Sequence, residues 1–384
     1  MAVALRNLNN KKVVILSTVK WGKMRVSKHH YALELAATGN TVFYIEPPDI
    51  KSSLSFSIRR SEVYENLFIV TYKPIARGKR FLPNFIHKKL EEFQAKILLK
   101  KLNISPYLLI SFDPYRFSNL KWFNAKKSIF FAADLYKSSH VPGEVVTADF
   151  CLGVSTTIVQ LLKQSNENSF FINHGLNSSL VKLGERQLKQ QVEKNRIKSI
   201  TVGYIGNLLI SSLDRKAMMD VIQEHCDIKF IFWGQYKVGQ DNVLPGSASD
   251  TWEFISFLEK CPNVELAGPK NQNELANEIT RADVFWLCYD AGYTWAVDGS
   301  NSHKILEYLA TGRPVVTTFI SLYENSDLLY MQDAKDKGMF AEFFKNAIQS
   351  LPDLETESLI QKRIRFALSN SYNQRLKEID NLIA

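Results

Sequence analysis

Short β-branched apolar runs alternate along this chain with longer stretches whose apolar positions recur at helical spacing, and that alternation predicts an α/β protein. Residues 13–17 read as a buried parallel strand because they are short, β-branched and followed by a turn-like stretch with Gly22. Residues 27–37 follow as a helix, with Tyr31, Leu33, Leu35 and Ala36 at its apolar positions and Gly39 as its stop, and residues 41–45 form the next strand. This is a βαβ unit, the opening of a Rossmann-like sheet. Strands are predicted again at 67–72, 107–111 and 128–132, with a helix over 85–102. After a break near 173–198 a second series of strands is predicted at 201–205, 229–233, 264–266, 284–287 and 315–317.

With 384 residues, 45% of them hydrophobic, the chain can fill two cores. The expected division is an N-terminal Rossmann-like domain over 1–180, a C-terminal one over 181–360, and a helix over 361–384 that packs back on the first. Tandem sheets of this kind imply a cleft, with ligands at the carboxyl ends of the strands. The formal charge of +9 is uneven: residues 1–100 hold 18 Lys and Arg against 7 Asp and Glu. That excess suits an anionic partner or is a solvated basic face. Cys151, Cys226, Cys261 and Cys288 are far apart and lack metal-ligand spacing, which fits a reducing cytosol. The apolar run at 13–17 is too short for a signal segment or a membrane span, so any membrane contact is expected to be peripheral.

The most informative run is Asn301-Ser302-His303-Lys304-Ile305-Leu306-Glu307-Tyr308-Leu309-Ala310-Thr311-Gly312-Arg313-Pro314-Val315-Val316-Thr317. It reads as a helix from about Ser302, with Asn301 as N-cap, Gly312 as stop and Pro314 before a buried strand. Taken alone this is either an ordinary amphipathic helix or an anion site, in which free N–H groups and Lys304 hold a diphosphate and Glu307 accepts from ribose hydroxyls. The full run resembles the N-P-x-K-x-x-E-Y-L-A-x-G-x-P-V-V-x-T stretch of GT-B glycosyltransferases related to glycosyltransferase family 4, including bacterial polysaccharide and teichuronic acid enzymes. Ser302 stands where Pro is usual, and Gly299 where many members carry a further Glu, with Asp298 as its neighbouring substitute.

The resemblance implies two Rossmann-like domains facing each other across a cleft, a nucleotide-diphosphate sugar donor taken as UDP-linked, and donor contacts from Asn301, Ser302, His303, Lys304 and Glu307. It extends to Gly206 and Asn207, where the glycine either admits phosphate or makes a plain tight turn, to the strand ending at Gly234, and to Lys270, Asn271 and Leu275 as candidates for the base pocket. Gly22, Arg25, Lys28 and His29, in the loop before the first helix, resemble an acceptor-side segment. His29 alone reads more often as a surface or helix-packing residue.

An inverting transfer needs a base at a strand end. Asp134 is the first candidate, in a segment resembling that of xanthan-type glucuronosyltransferases. Asp113 stands second, with turn formation at Asp113-Pro114 as its other reading. A retaining transfer needs no such base. No D-x-D motif is suitably placed, so catalysis without a metal or other cofactor is expected. Residues 77–101 mix bulky apolar and basic side chains, either to meet an anionic membrane or as a core stripe of Phe85, Leu90, Phe93, Ile97 and Leu98 with a charged reverse face. The implied acceptor is a glycan or lipid-linked compound, at the inner face of the cell membrane. Competing readings are a nucleotide-sugar 2-epimerase of the same fold, a non-catalytic nucleotide-sugar binder, and a nucleic-acid-binding protein, although no nucleic-acid-binding motif is found and no such partner is expected.

Overall fold

The computed structural model describes residues 5–22, 25–51, 53–75, 82–135, 141–189, 199–237, 249–290, 301–336 and 338–384. They form two compact α/β units: Arg25–Asn173 and Tyr372–Ala384 belong with the segment ending at Trp21 to the first, and His174–Ser371 to the second.

The first unit holds β1 (Lys12–Leu16), β2 (Thr41–Ile45), β3 (Phe56–Arg60), β4 (Leu67–Tyr72), β5 (Leu108–Ser111), β6 (Lys127–Ala132), β7 (Phe150–Gly153) and β8 (Ser169–Phe171). Their order is β3-β4-β2-β1-β5-β6-β7-β8, all parallel except β3, which runs antiparallel to β4. Val13 lies opposite both Val42 and Leu108, and all three are fully buried, as expected where helices cover both faces of a parallel sheet. Strands β3, β7 and β8 were not predicted. β3 reads Phe-Ser-Ile-Arg-Arg because it is an edge with an exposed end, and β8 has only three residues.

The second unit carries β9 (Thr201–Ile205), β10 (Lys229–Trp233), β11 (Val264–Leu266), β12 (Val284–Leu287), β13 (Val315–Thr317) and β14 (Tyr330–Met331). They form one parallel sheet ordered β11-β10-β9-β12-β13-β14. Strand order reverses between β1 and β5 in the first sheet and between β9 and β12 in the second. In open α/β sheets these reversal points are where ligands bind, at the carboxyl ends.

The helix Glu357–Ser369 belongs to the second unit, so the segment that enters the first begins at Tyr372 rather than at 361. The reason is Arg363, almost fully buried, which donates to the carbonyls of Leu328 (3.1 Å), Leu354 (2.8 Å) and Gly312 (3.3 Å) and so ties this helix to the loop before β13. The helix Tyr372–Leu382 places Tyr372, Leu376 and Ile379 in the first core, with Tyr372 stacked on His30 at 4.7 Å. Its buried Asp380 accepts from the backbone N–H groups of Arg6 (2.7 Å), Asn7 (2.9 Å) and Leu8 (2.7 Å). Three converging donors satisfy a carboxylate that would otherwise be costly to bury.

The helix Asn84–Leu102 corrects the core-stripe reading. Its buried face is Glu91, Gln94, Ala95, Leu98 and Leu102, while Phe85 and Phe93 are exposed. The four cysteines are free thiols, and no described helix is long and apolar enough to cross a membrane.

Candidate functional site

At the reversal point of the second sheet, glycines bring three strand ends together. Gly206 follows β9 with φ 149°, Gly234 follows β10 with φ 150°, and Gly268 follows β11 with φ 70°, conformations that glycine alone adopts easily. The Gly206 N–H donates to the carbonyl of Trp233 at 2.8 Å, and the Gly234 N–H to that of Gly268 at 3.0 Å. A Cβ on Gly206 would lie 2.3 Å from Cε of Lys304, so the lysine stem lies directly against the backbone there.

Lys304 is buried, with Nζ 3.5 Å from the Tyr289 hydroxyl and 5.9 Å from the centre of that ring. Burial alone would lower its pKa, but the oxygens of Tyr289 and Tyr204 and the Glu307 carboxylate outweigh it. The pKa stands above its ordinary value, and the amine is a cation at neutral pH. Glu307, one turn on, is half-buried; burial pushes its carboxyl up to about 7 against the opposing pull of Lys304. Among the described residues, the buried Tyr204 hydroxyl and the Asn207 amide nitrogen lack partners. A confined cation beside unsatisfied polar groups is what an anionic, hydroxyl-bearing ligand would complete.

Tyr308 has a different task. Pairing between β12 and β9 stops at Phe285↔Gly203, and the Tyr308 hydroxyl takes over by accepting from the Ile205 N–H at 3.0 Å while facing the Ile205 carbonyl at 3.4 Å. Removing it orphans a buried backbone donor next to Gly206. Tyr308→Phe is expected to cost about 1–3 kcal/mol, seen as a lower urea midpoint at unchanged slope.

The helix itself spans only His303–Leu309, and Ser302 rather than Asn301 is its N-cap. The Ser302 hydroxyl caps nothing and meets the Tyr289 hydroxyl at 3.2 Å. Asn301 is buried, and its backbone is bonded by the ring of His174, which burial holds neutral with a pKa of about 4. His303, half-buried at the first helical position, meets His174 edge-on at 6.0 Å. Asn207 spends its side-chain oxygen on the Leu209 N–H at 2.8 Å. Asn271 caps the helix Gln272–Glu278 by accepting from Asn273 and Glu274, which leaves its side-chain oxygen committed to that turn. Lys270 lies 3.9 Å from Glu278, and Leu275 packs on the core. Asp298 and Gly299 lie outside the described residues.

In the first unit, the loop after β1 corrects two expectations. His29 is fully buried, its Nδ1 accepts from Val26 at 3.0 Å, its Nε2 faces the Lys20 carbonyl at 3.1 Å, and it stacks on Tyr44. Burial drives its pKa to about 3, so it is a neutral packing residue with no nitrogen left for an acceptor. Arg25 is engaged by Glu62 at 2.9 Å and lies over Trp21. Gly22 is half-buried, next to the undescribed pair 23–24. Lys28 donates to the Thr18 hydroxyl at 2.7 Å; burial lowers its pKa, opposed by the charges of Asp134 and Asp113.

Asp134 is exposed at the end of β6. Asp113 is buried and accepts from the N–H groups of Tyr115 (2.8 Å) and Arg116 (3.2 Å), and its other oxygen pairs with the Arg116 side chain. Turn formation, not base chemistry, therefore accounts for it. Arg116, which sequence reasoning passed over, also bonds the Ser17 carbonyl, the Glu46 carbonyl (3.1 Å) and the Tyr72 hydroxyl (3.0 Å), clamping the ends of four strands. Tyr289 and Tyr204 were missed as well. Only the order β9-β12 brings them to Lys304, and no spacing in the chain encodes that.

No family model and no curated protein matches the sequence. Solved structures do match over almost the whole chain. An α,α-trehalose 6-phosphate synthase from Burkholderia multivorans is 13% identical with a TM-score of 0.65, covering 97% of this chain and 98% of its own. Anabaena HepE in complex with UDP and glucose is 10% identical with a TM-score of 0.61, covering 96% and 99%. The catalytic domain of starch synthase IV from Arabidopsis thaliana, bound to ADP and acarbose, is 11% identical with a TM-score of 0.63, covering 98% and 99%. The fold is that of the GT-B glycosyltransferases.

Proposed function

We propose that this chain is a glycosyltransferase that binds a nucleotide-diphosphate sugar, taken as UDP-linked, in its second unit and transfers the sugar to a hydroxyl of a glycan or lipid-linked acceptor. The observation that carries this reading is the buried Lys304 ammonium against Gly206 at the strand reversal, with the Glu307 carboxyl one turn on. The structures of similar fold that hold UDP with glucose, or ADP with acarbose, support a donor of this class.

In this reading Lys304 faces the diphosphate and stabilises the charge that grows on it as the bond from the anomeric carbon to the phosphate oxygen breaks. Glu307 accepts from the ribose hydroxyls. The acceptor oxygen forms the new bond to the anomeric carbon, and its proton goes to Asp134 if configuration is inverted or to the departing phosphate oxygen if it is retained. Lys28 lies within electrostatic reach of Asp134. In this reading catalysis needs no metal, with Lys304 supplying positive charge to the diphosphate, and the four free thiols suit a reducing cytosol.

Thermal shift against UDP-, GDP- and ADP-sugars tests the donor, because a ligand that binds only the folded state raises its stability. No shift with any of them sinks the proposal. Epimerisation of the donor without acceptor would favour the 2-epimerase instead.

The Glu307 carboxyl adds a pH signature. Ribose hydroxyls donate to the ionised form, so UDP-sugar affinity is expected to fall by up to about tenfold per pH unit as pH drops below about 7, and to be flat above it. In the free protein the sign reverses. A carboxyl raised from its ordinary 4.5 to about 7 keeps its proton longer when folded, so this residue removes stability as pH rises through that window and nothing further above it. Glu307→Gln should abolish both trends, which calorimetric titration and urea melts across pH would read.

A further inference from the structure

Apolar exposure is lopsided in this molecule. Of the sixteen large apolar side chains exposed among the described residues, fourteen belong to the first unit. Singly scattered apolar side chains would need no account. These are not scattered, because many gather on the loops at the carboxyl ends of the parallel strands: Leu54 follows β2, Ile75, Leu82 and Phe85 lie between β4 and the first turn of the next helix, Tyr115 follows β5, and Val141 follows β6. The exposure is large, with Leu54 at 60%, Phe85 at 65% and Tyr115 at 66%.

Backbone bonds hold one of these loops in place. The Asp49 N–H donates to the Tyr72 carbonyl at 2.9 Å and the Lys73 N–H to that of Ser55 at 3.0 Å, so the β2–β3 loop is held against the end of β4. Lys51, Lys88 and Lys89 are exposed among these apolar side chains, whereas the nearby carboxylate of Asp49 is already paired with Lys20 at 2.9 Å.

We propose that this carboxyl-end rim of the first sheet docks on an anionic lipid surface, with the apolar loop tips entering the interface and the lysines meeting headgroups. The inference deepens the transferase reading, on which it rests for the purpose of the docking: the same strand ends carry Asp134 and Lys28, so a lipid-linked acceptor is met edge-on. Alternating apolar tips and lysines suit a lipid interface. A protein partner would ask instead for an apolar patch poor in lysine.

The test is flotation of the full chain with vesicles of phosphatidylcholine alone or with one third phosphatidylglycerol. Binding is expected only to the anionic vesicles and should weaken with salt. Lys88→Glu with Lys89→Glu should lower it about tenfold or more, at about 1 kcal/mol per lysine lost and more for reversal, and Leu82→Ser with Phe85→Ser should lower it severalfold. Unchanged melting temperatures and an unchanged UDP thermal shift in these variants confirm that only docking was touched.

Absence of binding to the anionic vesicles, or equal binding by parent and variants, overturns the proposal. So does displacement from vesicles by an equimolar single-stranded oligonucleotide, which would mark the rim as a nucleic-acid surface. Vesicle binding without any nucleotide-sugar shift would leave docking in place and overturn the donor reading alone. A shift without vesicle binding would do the reverse.

Discussion

Lys304→Met is expected to lower turnover of a UDP-sugar by about 10³-fold, equivalent to about 4 kcal/mol of transition-state stabilisation, while the unliganded protein melts only slightly lower. The two halves of this expectation have one cause. Among the described residues the buried ammonium lies against Gly206 and near the Tyr289 hydroxyl at 3.5 Å, Tyr204 and Glu307, whose attraction outweighs its desolvation, so the free protein loses a little stability when the charge is removed. A thioether of similar volume keeps the packing and forfeits only that modest attraction. The same change deletes the charge that a departing diphosphate needs. Differential scanning of the two proteins with and without UDP, beside steady-state kinetics, would check both halves. Full turnover in Lys304→Met would refute the assignment of the site. A large loss of unliganded stability would show instead that Lys304 is a structural residue.

Gly234→Ala is expected to destabilise the second unit by about 4 kcal/mol or more, lowering its melting temperature on the order of 10 °C and removing nucleotide binding with it. The added Cβ would lie 1.9 Å from the Gly206 carbonyl oxygen, at a φ of 150° that alanine avoids. Relief requires the ends of β9 and β10 to separate, which also moves the backbone away from Lys304. Gly338→Ala is the internal control, because its φ of 82° carries the local strain alone and a Cβ there meets nothing within 4 Å. About 1 kcal/mol is expected for it. Equal costs in the two variants would show that steric contact between strand ends is unimportant.

The strands that are buried on both faces were legible because burial leaves them little choice of residue. Lys12–Leu16 and Thr41–Ile45 are short β-branched runs, and the helix Ser27–Ala37 stands where its pattern placed it. Edge elements were not legible. β3 ends in two exposed arginines, and β14 has only two residues, so neither has an apolar face to announce it.

For the candidate site the divide is between what lies within one element and what packing brings together. Lys304 and Glu307 share a helical turn, so their spacing shows in the sequence. Tyr204 and Tyr289 reach the same place from two strands far apart in the chain. His29 misled for the opposite reason: its neighbours are basic and read as an exposed loop, yet its ring accepts from the Val26 N–H and belongs to the core. Charge was misleading in the same way, since Arg25 is engaged with Glu62.

The three backbone donors that converge on Asp380 bear on how the protein is made. Residues 5–8 leave a ribosome well before the carboxylate they bind and the side chains of Leu376 and Ile379 that complete their core, which follow more than 350 residues later. Domains usually fold in the order in which they are synthesised. Here the second unit is complete at Ser371 while the first still lacks part of its interior, so the order of completion is inverted. During synthesis the eight-stranded sheet must wait with an uncovered apolar flank, the condition under which nascent chains turn to chaperones.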